Sequence, residues 1–514
     1  MNSVCWQEVA ECGSTNDVAA QAAQTLERDQ YLVVVTQRQL AGRGQRGRAW
    51  QMPEGAGIAF SVATRLPADT TLEGLSLAVG VALAERLELL DLPVALKWPN
   101  DLLIRGRKVG GVLVEAHWRG GKGLIVVVGV GLNHTAAPTL PSDPWQVPAT
   151  ALTDHLPFTP NRESLTRTLA CAVIAVLDNY RRGAGFQPWR AGWWARAAWR
   201  GRWLRLQPGK ETAHTQDTHS CGPERLVRLH AVAPDGTLIL TNPAGETVPI
   251  TSATARLRPV PLLIDLGNSR GKWFLSDDEQ GVFGYDEAEL AAWRDTLATH
   301  DLPGEALGVC VASAAVRAHV TALLAANGIT LRWVTASAAA GGVRNCYAAP
   351  ERLGADRWVA AVGAWHLGLA PAVLVGCGTA TTIDWLDETA NFRGGAILPG
   401  AGTMFAALAR YTAHLPALLP EEALAEPAPP FPPTATEAAI ACGVALAQRG
   451  AIAQFFAEVA RQSHSSPRLI LHGGAAQAIA AHLEIPNQVR DNLIFVGLAA
   501  LACDNPASWT EEMS

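Results

Sequence analysis

The sequence predicts an α+β first half, a small β-barrel in the middle and an α/β second half. Three observations predict it. In the first part, charge-free apolar runs end in loops rich in Gly, Arg, Lys and Asn. Between Trp203 and Ile250, short alternating segments follow one another with Gly, Pro and Asp turns. From Leu262 onward, the pattern of strand, Gly-bearing turn and strand recurs. At 514 residues the chain exceeds what one core holds, so two to four domains are expected.

Composition narrows the class. Hydrophobic residues make up 49% and charged residues 17%, as in ordinary globular proteins. A net charge of −6 gives no general attraction to nucleic acid or to a membrane, so any basic site is local. The nine cysteines form no CxxC pair, which points to reduced thiols, a cytoplasmic location and no zinc site. Glu8, Glu11 and Asp17 come early without an apolar core, so no signal peptide is expected, and no uninterrupted apolar run reaches bilayer length.

The first half is organised around Ala41-Gly-Arg-Gly-Gln-Arg-Gly-Arg-Ala-Trp50. The strand 31–36 opens into it. Its backbone N–H groups and guanidinium forks suit an anion, and Gly42 and Gly44 permit close approach. Little apolar surface pins the loop, so it is expected to be mobile when empty. A solvated basic loop is the plain alternative. Ser14-Thr-Asn16-Asp17 caps a helix at 18–26, or turns a spare hydroxyl toward a ligand. Residues 58–62 read as a strand and 75–90 as a core helix. Val94 to Lys97 is a strand stopped at Pro99, with Asn100 and Asp101 turning the chain. Lys108-Val-Gly-Gly-Val-Leu-Val-Glu115 and Leu124 to Asn133 are two further strands.

These motifs, in this order from Ser14 to Asn133, resemble those of biotin protein ligases. The resemblance implies a two-step reaction. Biotin attacks the α-phosphate of ATP to give biotinyl-5′-adenylate, and a lysine of a biotin carboxyl carrier protein then attacks the mixed anhydride. It further implies that Ser14, Thr15, Asn16 and Gln39 hold biotin. Arg43, Gly44 and Gln45 would lie over biotin and the adenylate, and Lys108 would neutralise a carboxylate or phosphate. Arg46, Trp98, Asn100 and Asn133 would line the adenylate side. Mg²⁺ would accompany ATP. The family loop commonly reads Gly-Arg-Gly-Arg; here Gln45 keeps hydrogen-bonding capacity without the charged fork, so weaker adenylate retention is expected. Only 13 residues precede Ser14, so no N-terminal DNA-binding domain is expected. A lipoate-type ligase of the same superfamily is the alternative.

In the middle, 165–182 reads as a helix. Trp189, Trp193, Trp194, Trp199 and Trp203 follow within 15 residues, and packing explains them better than base stacking in an acidic chain. The strands 203–206, 226–229, 236–240 and 247–250 match the SH3-like module of the ligase family. Residues 212–223 read as a loop, and 258–261 as a linker. The expected domains are 1–198, 199–258 and 259–514.

In the second half, Asp265-Leu266-Gly267-Asn268-Ser269-Arg270-Gly271-Lys272 is a hairpin suited to wrapping phosphates, with Asp265 as the Mg²⁺ ligand. Gly376-Cys-Gly378-Thr379 repeats the pattern, and His472-Gly-Gly474 is a third strand-to-glycine turn. Together they resemble the acetate and sugar kinase/actin-like ATPase superfamily, with its two ribonuclease-H-like subdomains. Tyr347 with Gly354-Ala355-Asp356-Arg357, then Gly394-Gly-Ala-Ile-Leu-Pro-Gly400 and Thr436, narrow the resemblance to type III pantothenate kinase. That family implies Asp356 as general base toward pantothenate. Tyr347, Gly354, Ala355, Arg357 and Thr436 would contact pantothenate, and residues 265–272 with Thr379 would serve ATP. Without the flanking motifs, an ion pair with Arg357 is the plain reading of Asp356. The family also implies a homodimer and a K⁺ or NH₄⁺ ion, whose usual Asp ligand is Gly376 here. Residues 421–433, rich in Pro and Ala, read as a loop. The alternative for this half is a catalytically weak regulatory module.

Overall fold

The computed structural model describes residues 3–27, 29–118, 123–140, 143, 145–208, 224–250, 255–300, 302–419, 423–424 and 431–504. The loop expected at 212–223 and most of 421–433 lie outside the described residues. So does the Arg46 side chain.

The first half is a seven-stranded sheet. Its spatial order is Ser3–Cys12, Gln30–Gln39, Gly57–Leu66, Leu124–Asn133, Arg107–Trp118, Asp101–Ile104 and Val94–Lys97. The first pair is parallel and the others antiparallel. Both faces are covered, which is why its strands read as continuous apolar runs. Tyr31, Val33, Ile58, Phe60 and Val62 face the helices Leu75–Glu88 and Arg162–Arg181. Leu32, Val34 and Ala63 face the short helix Thr15–Ala22. The edge strand Ser3–Cys12 had no clear sequence signal, because it is mostly exposed.

The middle sheet has five strands and the order Thr247–Ile250, Leu238–Thr241, Arg225–Val232, Trp203–Gln207, Arg256–Pro259. The stretch 258–261, expected as a linker, in fact begins as a strand. Arg256–Pro259 pairs antiparallel with Trp203–Gln207, and Pro259 is tolerated as the last residue of an edge strand. The tryptophans pack as expected: Trp193 and Trp203 are buried, and Trp189, Trp194 and Trp199 lie against the core of the first half.

The second half has two sheets. One runs Gln280–Phe283, Gly271–Phe274, Leu262–Leu266, Glu305–Cys310, Thr330–Trp333. The other has seven strands, centred on Ala372–Cys377, Ala380–Leu386 and Asn391–Pro399. The helices Ala355–His366 and Leu493–Leu501 pack together between them, in one core with Leu263, Leu307 and Leu374. The long helix Thr436–Gln462 covers the outer face of the seven-stranded sheet through Ile452 and Val459. That helix is long and apolar enough to pass a length test for a membrane span, yet Gln448 within it bonds to Thr381 Oγ1 at 2.7 Å and to the Pro399 carbonyl at 2.8 Å.

The middle sheet joins the halves. Leu204, Leu206 and Val227 belong to the core of the first half, while Trp203 and Leu226 join the core of the second. Arg228 lies 4.0 Å from the Trp203 ring centroid and pairs with Asp277 at 2.8 Å. Trp203→Ala is therefore expected to cost about 3–5 kcal/mol and to lower the thermal midpoint clearly. An unchanged midpoint would show that the joint is not built on this ring.

Candidate functional sites

The first site is a cavity of about 210 Å³ at the end of the first sheet. Ser14 occupies the N-cap of its helix, but its hydroxyl makes no capping bond, so it is spare for a ligand. Thr15 donates to Gln39 Oε1 through its backbone at 3.0 Å, and its hydroxyl is 3.2 Å from the same atom. The Ser61 hydroxyl sits 2.6 Å from Asn16 Oδ1 and 2.7 Å from Thr15 Oγ1. Asn16 Nδ2 donates to Glu115 at 2.8 Å. The structure thus gathers Ser14, Thr15, Asn16 and Gln39 on one wall, and adds Ser61 and Glu115 to them.

The Gly/Arg loop is held more firmly than its composition suggested. Gly44 N bonds to the Arg48 carbonyl at 2.7 Å, and Trp50 N to the Gly42 carbonyl at 2.8 Å. Arg43 forks onto Asp17 at 2.7 and 2.6 Å and also reaches Glu115 at 3.3 Å. Hydrogen bonding from Arg43 holds the Asp17 carboxyl below its ordinary range. Gln45 lies in a short 3-10 turn and lines the cavity. Trp50 lies across Gly131, where a Cβ would stand 2.4 Å from the indole.

Lys108 and Lys97 converge on Asp101, Lys97 at 3.3 Å. Burial pushes the Asp101 carboxyl up, but the two lysines outweigh it and hold it below the ordinary range. Lys108 also lies 5.6 Å from the Trp50 ring centroid. Asn100 Nδ2 donates to the Val112 carbonyl at 2.7 Å. Trp98 lines the cavity, but its indole N–H is taken by the Gly236 carbonyl at 3.0 Å. Asn133 donates to the Thr150 carbonyl at 2.9 Å, and its buried Oδ1 has no partner among the described residues, which leaves it able to accept from a ligand. Arg256, from the middle sheet, closes this end by pairing with Asp143 and lying 5.7 Å from the Trp145 ring. Sequence reasoning missed it because it stands in what read as the run-up to a linker.

The second site lies between the two sheets of the second half. The hairpin 262–274 turns at Gly267–Arg270, with Gly267 N bonded to the Arg270 carbonyl at 3.1 Å. Asp265 and Lys272 are cross-strand partners. Ser269 Oγ lies 3.4 Å from Thr379 Oγ1, so the two glycine turns meet. Asn268, Ser269 and Arg270 are exposed on the turn. Leu266 is not a cleft residue: its side chain is fully buried and its carbonyl accepts from Val311 at 2.9 Å. Gly271 is likewise buried, against Phe283. The third turn folds onto the second, with Ala475 N bonded to the Cys377 carbonyl at 3.2 Å.

Asp356 stands in the first turn of helix Ala355–His366, which Gly354 caps. Its Oδ1 accepts from the Arg357 backbone at 2.8 Å. Burial raises its carboxyl above the ordinary range. Burial likewise pushes Asp265 up to about 6, with Lys272 lowering it and Asp356 raising it further, so the two carboxylates share one electrostatic neighbourhood. The Arg357 guanidinium is not paired with Asp356. It lies on Asp384, and its Nη1 donates to the Tyr347 hydroxyl at 2.9 Å. Asp384 was not singled out from the sequence. Thr436 is exposed at the first residue of its helix.

Residues 261–458 match the family description of type III pantothenate kinase, and residues 10–133 that of the biotin/lipoate A/B protein ligase family. A type III pantothenate kinase of Aromatoleum aromaticum is 41% identical over 249 residues, covering 48% of this chain and 99% of that protein. One of Janthinobacterium sp. is 39% identical over 268 residues, covering 47% and 96%. Among solved structures, a biotin protein ligase from Aquifex aeolicus in complex with biotin and ATP is 21% identical, with a TM-score of 0.39, covering 50% of this chain and 100% of that one.

Gly131→Ala is expected to displace Trp50 and loosen the Gly/Arg loop. Trypsin should then cut near Arg43 and Arg48 several-fold faster in the altered protein. Equal cleavage rates would show that the Trp50 contact does not hold the loop.

Proposed function

Since the chain belongs, through its second half, to the type III pantothenate kinase family and carries a biotin/lipoate-type ligase domain in its first, we propose that it is a bifunctional enzyme. The first half joins biotin to a lysine of a biotin carboxyl carrier protein. The second phosphorylates pantothenate to 4′-phosphopantothenate, the first step of coenzyme A synthesis. The expected boundaries are 1–198 and 199–258 for the ligase with its SH3-like module. Residues 259–514 form the kinase, with its ribonuclease-H-like subdomains.

The observation that carries the ligase reading is one cavity lined by both a neutral hydrogen-bonding wall and paired cations. Ser14, Thr15, Asn16 and Gln39 offer donors and acceptors to the biotin ring. Arg43 and Lys108 offset the repulsion between a carboxylate and a triphosphate, and both are already positioned by Asp17 and Asp101. The carboxylate of biotin attacks the α-phosphorus and pyrophosphate leaves; the carrier amine then attacks the acyl carbon and AMP leaves. The free Oδ1 of Asn133 suits an N–H of the nucleotide. Arg43, Gly44 and Gln45 lie over biotin and the adenylate, with Arg46, Trp98 and Asn100 assigned to the adenylate side.

The observation that carries the kinase reading is that the Arg357 guanidinium is paired with Asp384 and not with Asp356, whose carboxylate shares an electrostatic neighbourhood with Asp265. Asp356 takes the proton of the pantothenate hydroxyl as its oxygen attacks the γ-phosphorus of ATP. Lys272, Ser269, Asn268 and Thr379 hold the phosphates. Asp265 is a hard oxygen donor among these groups and would hold the Mg²⁺ that accompanies ATP, which neutralises phosphate charge when bound. Tyr347, Gly354, Ala355, Arg357 and Thr436 face pantothenate. Relatives at 36–41% identity are kinases by name, which favours an active enzyme over a regulatory module. Exposed Ile397, Tyr411 and Leu446 leave an apolar face around the long helix, which suits a homodimer. The eight described cysteines are free thiols, in keeping with a cytoplasmic location.

Gly376 itself carries no carboxylate for a monovalent cation, and a Cβ there would stand 2.6 Å from Thr382 Oγ1 and 3.3 Å from His472 Nε2. ADP formation dependent on pantothenate is expected with or without added K⁺, and Asp356→Asn is expected to lower it by roughly 10²–10⁴-fold. Strict K⁺ dependence would refute the reading of Gly376, and an active Asp356→Asn would refute the base. For the ligase, Gln45→Arg is expected to slow release of free biotinyl-adenylate. Equal release from both proteins would show that the missing charge is immaterial.

A further inference from the structure

An aspartate beside an arginine in the first turn of a helix ordinarily invites an ion pair. In this protein the guanidinium has been drawn away. Arg357 Nε donates to Asp384 Oδ1 and Oδ2 at 3.2 and 3.1 Å, and Nη2 donates to Oδ1. Its Nη1 goes to the Tyr347 hydroxyl at 2.9 Å. The rings of Tyr347 and Phe392 lie 5.7 and 5.8 Å from the guanidinium carbon. Arg357 is 7% exposed and Asp384 3%, so neither charge has water as an alternative partner.

The strand opposite makes room for this pair. Asp384 lies in Ala380–Leu386 and is paired with Gly395 on Asn391–Pro399. A Cβ at Gly395 would stand 2.2 Å from Asp384 Oδ1 and 2.1 Å from the Ile383 carbonyl oxygen. Gly395 therefore leaves room both for the Ile383 carbonyl and for the buried carboxylate.

We propose that Asp384 is a positioning residue of the kinase half, which holds the Arg357 guanidinium off Asp356 and so keeps the Asp356 carboxylate free to accept the substrate's hydroxyl proton. This rests on the kinase reading above. The groups around Asp356 are few. Arg357 is on its own helix, Asp265 faces it from strand Leu262–Leu266, and Asp384 faces it from Ala380–Leu386. Lys272 acts on Asp265 and His472 from the neighbouring strand, and the Tyr347 hydroxyl accepts from Arg357. With Asp384 neutralised, Asp356, on which the Arg357 charge already acts, is a carboxylate to which the released guanidinium can turn. A cation at that distance stabilises the carboxylate and makes it a poorer base. The base works deprotonated, so the acid limb of the pH–rate profile tracks its pKa and moves to lower pH as that pKa falls.

The test is the pH dependence of kcat for pantothenate-dependent ADP formation in the full chain. It compares the unaltered protein with Asp384→Asn, Asp384→Glu and the double variant Asp384→Asn/Arg357→Gln. Asp384→Asn is expected to lower kcat by roughly ten- to a hundredfold and to move the acid limb down by about 1–3 pH units. Asp384→Glu keeps a carboxylate on the guanidinium and is expected to keep the limb in place. The double variant removes the stray cation and should return the limb toward its original position, even with a raised KM for pantothenate. An Asp384→Asn protein whose limb stays put while its thermal midpoint falls would overturn the proposal, since a purely structural role predicts that. A limb that moves equally in Asp384→Glu would also overturn it. Absence of turnover in the unaltered protein would instead remove the kinase reading, and the proposal with it.

Discussion

Trp203 and Leu204 are neighbours in sequence and belong to different cores. Strand geometry forces this, because successive side chains point to opposite faces. The same split recurs one strand away at Leu226 and Val227. One face of the middle sheet completes the first half and the other packs on the second, so both sites are positioned from a single element. On the ligase side, the turn at Gly236 takes the Trp98 indole N–H and Arg190 donates to the Val232 carbonyl at 2.6 Å. On the kinase side, Phe274 and Phe495 stack at 5.4 Å in the core that Trp203 joins. A buried tryptophan removes roughly 150–250 Å² from water, worth several kcal/mol. The ion pair of Arg228 with half-exposed Asp277 adds little beside that.

Both sites keep their cations on carboxylates before any substrate arrives. Lys97 and Lys108 share Asp101, Arg43 forks onto Asp17, and Arg357 forks onto Asp384. Burying such pairs contributes little net stability, since desolvation offsets much of the attraction. What they contribute is position. A guanidinium already aimed loses less freedom when an anion binds, and a paired cation does not collapse onto the wrong carboxylate. The two sites differ in depth. Arg43 and Asp17 are largely exposed at the mouth of their cavity, where water screens them, whereas Arg357 and Asp384 are almost wholly enclosed. Exchange of partners is therefore easy over the ligase cavity and costly inside the kinase cleft. That suits the roles proposed above for the Gly/Arg loop and for Asp356.

Much of this was legible in the sequence, and the reasons for the rest are specific. The strands of the first sheet could be read because both faces are buried and their apolar runs are continuous. The glycine turns at Gly267, Gly378 and Gly473 could be read because a tight turn leaves few other residue choices. Ser3–Cys12 could not, because an exposed edge strand has no apolar pattern. Arg256–Pro259 could not, because Pro259 at its end and Pro261 just beyond look like a linker until its partner Trp203–Gln207 is seen. Leu266 was assigned to a ligand by its place in a motif, while its side chain belongs to the core. Ser61 and Asp384 were not singled out, and Glu115 was named only as the end of a motif, for a common reason. Each completes a hydrogen-bond network begun far away in the chain, and no local spacing announces such a partner.

The joint between the halves reaches the second half through the strand that also carries Lys272. On Gly271–Phe274, Phe274 enters the core shared with Trp203, and Lys272, two residues back, lies on the same face opposite Asp265. Proximity of this kind does not make a signal, because coupling requires an element with two discrete arrangements. The contacts here are those of a fixed joint: aromatic rings in a packed core, a guanidinium stacked on an indole, and edge-strand pairing through Arg256–Pro259. Packed interiors resist small displacements. The middle sheet therefore acts as a common reference frame, holding Trp98 at the first cavity and the strand of Lys272 in the second half at set positions.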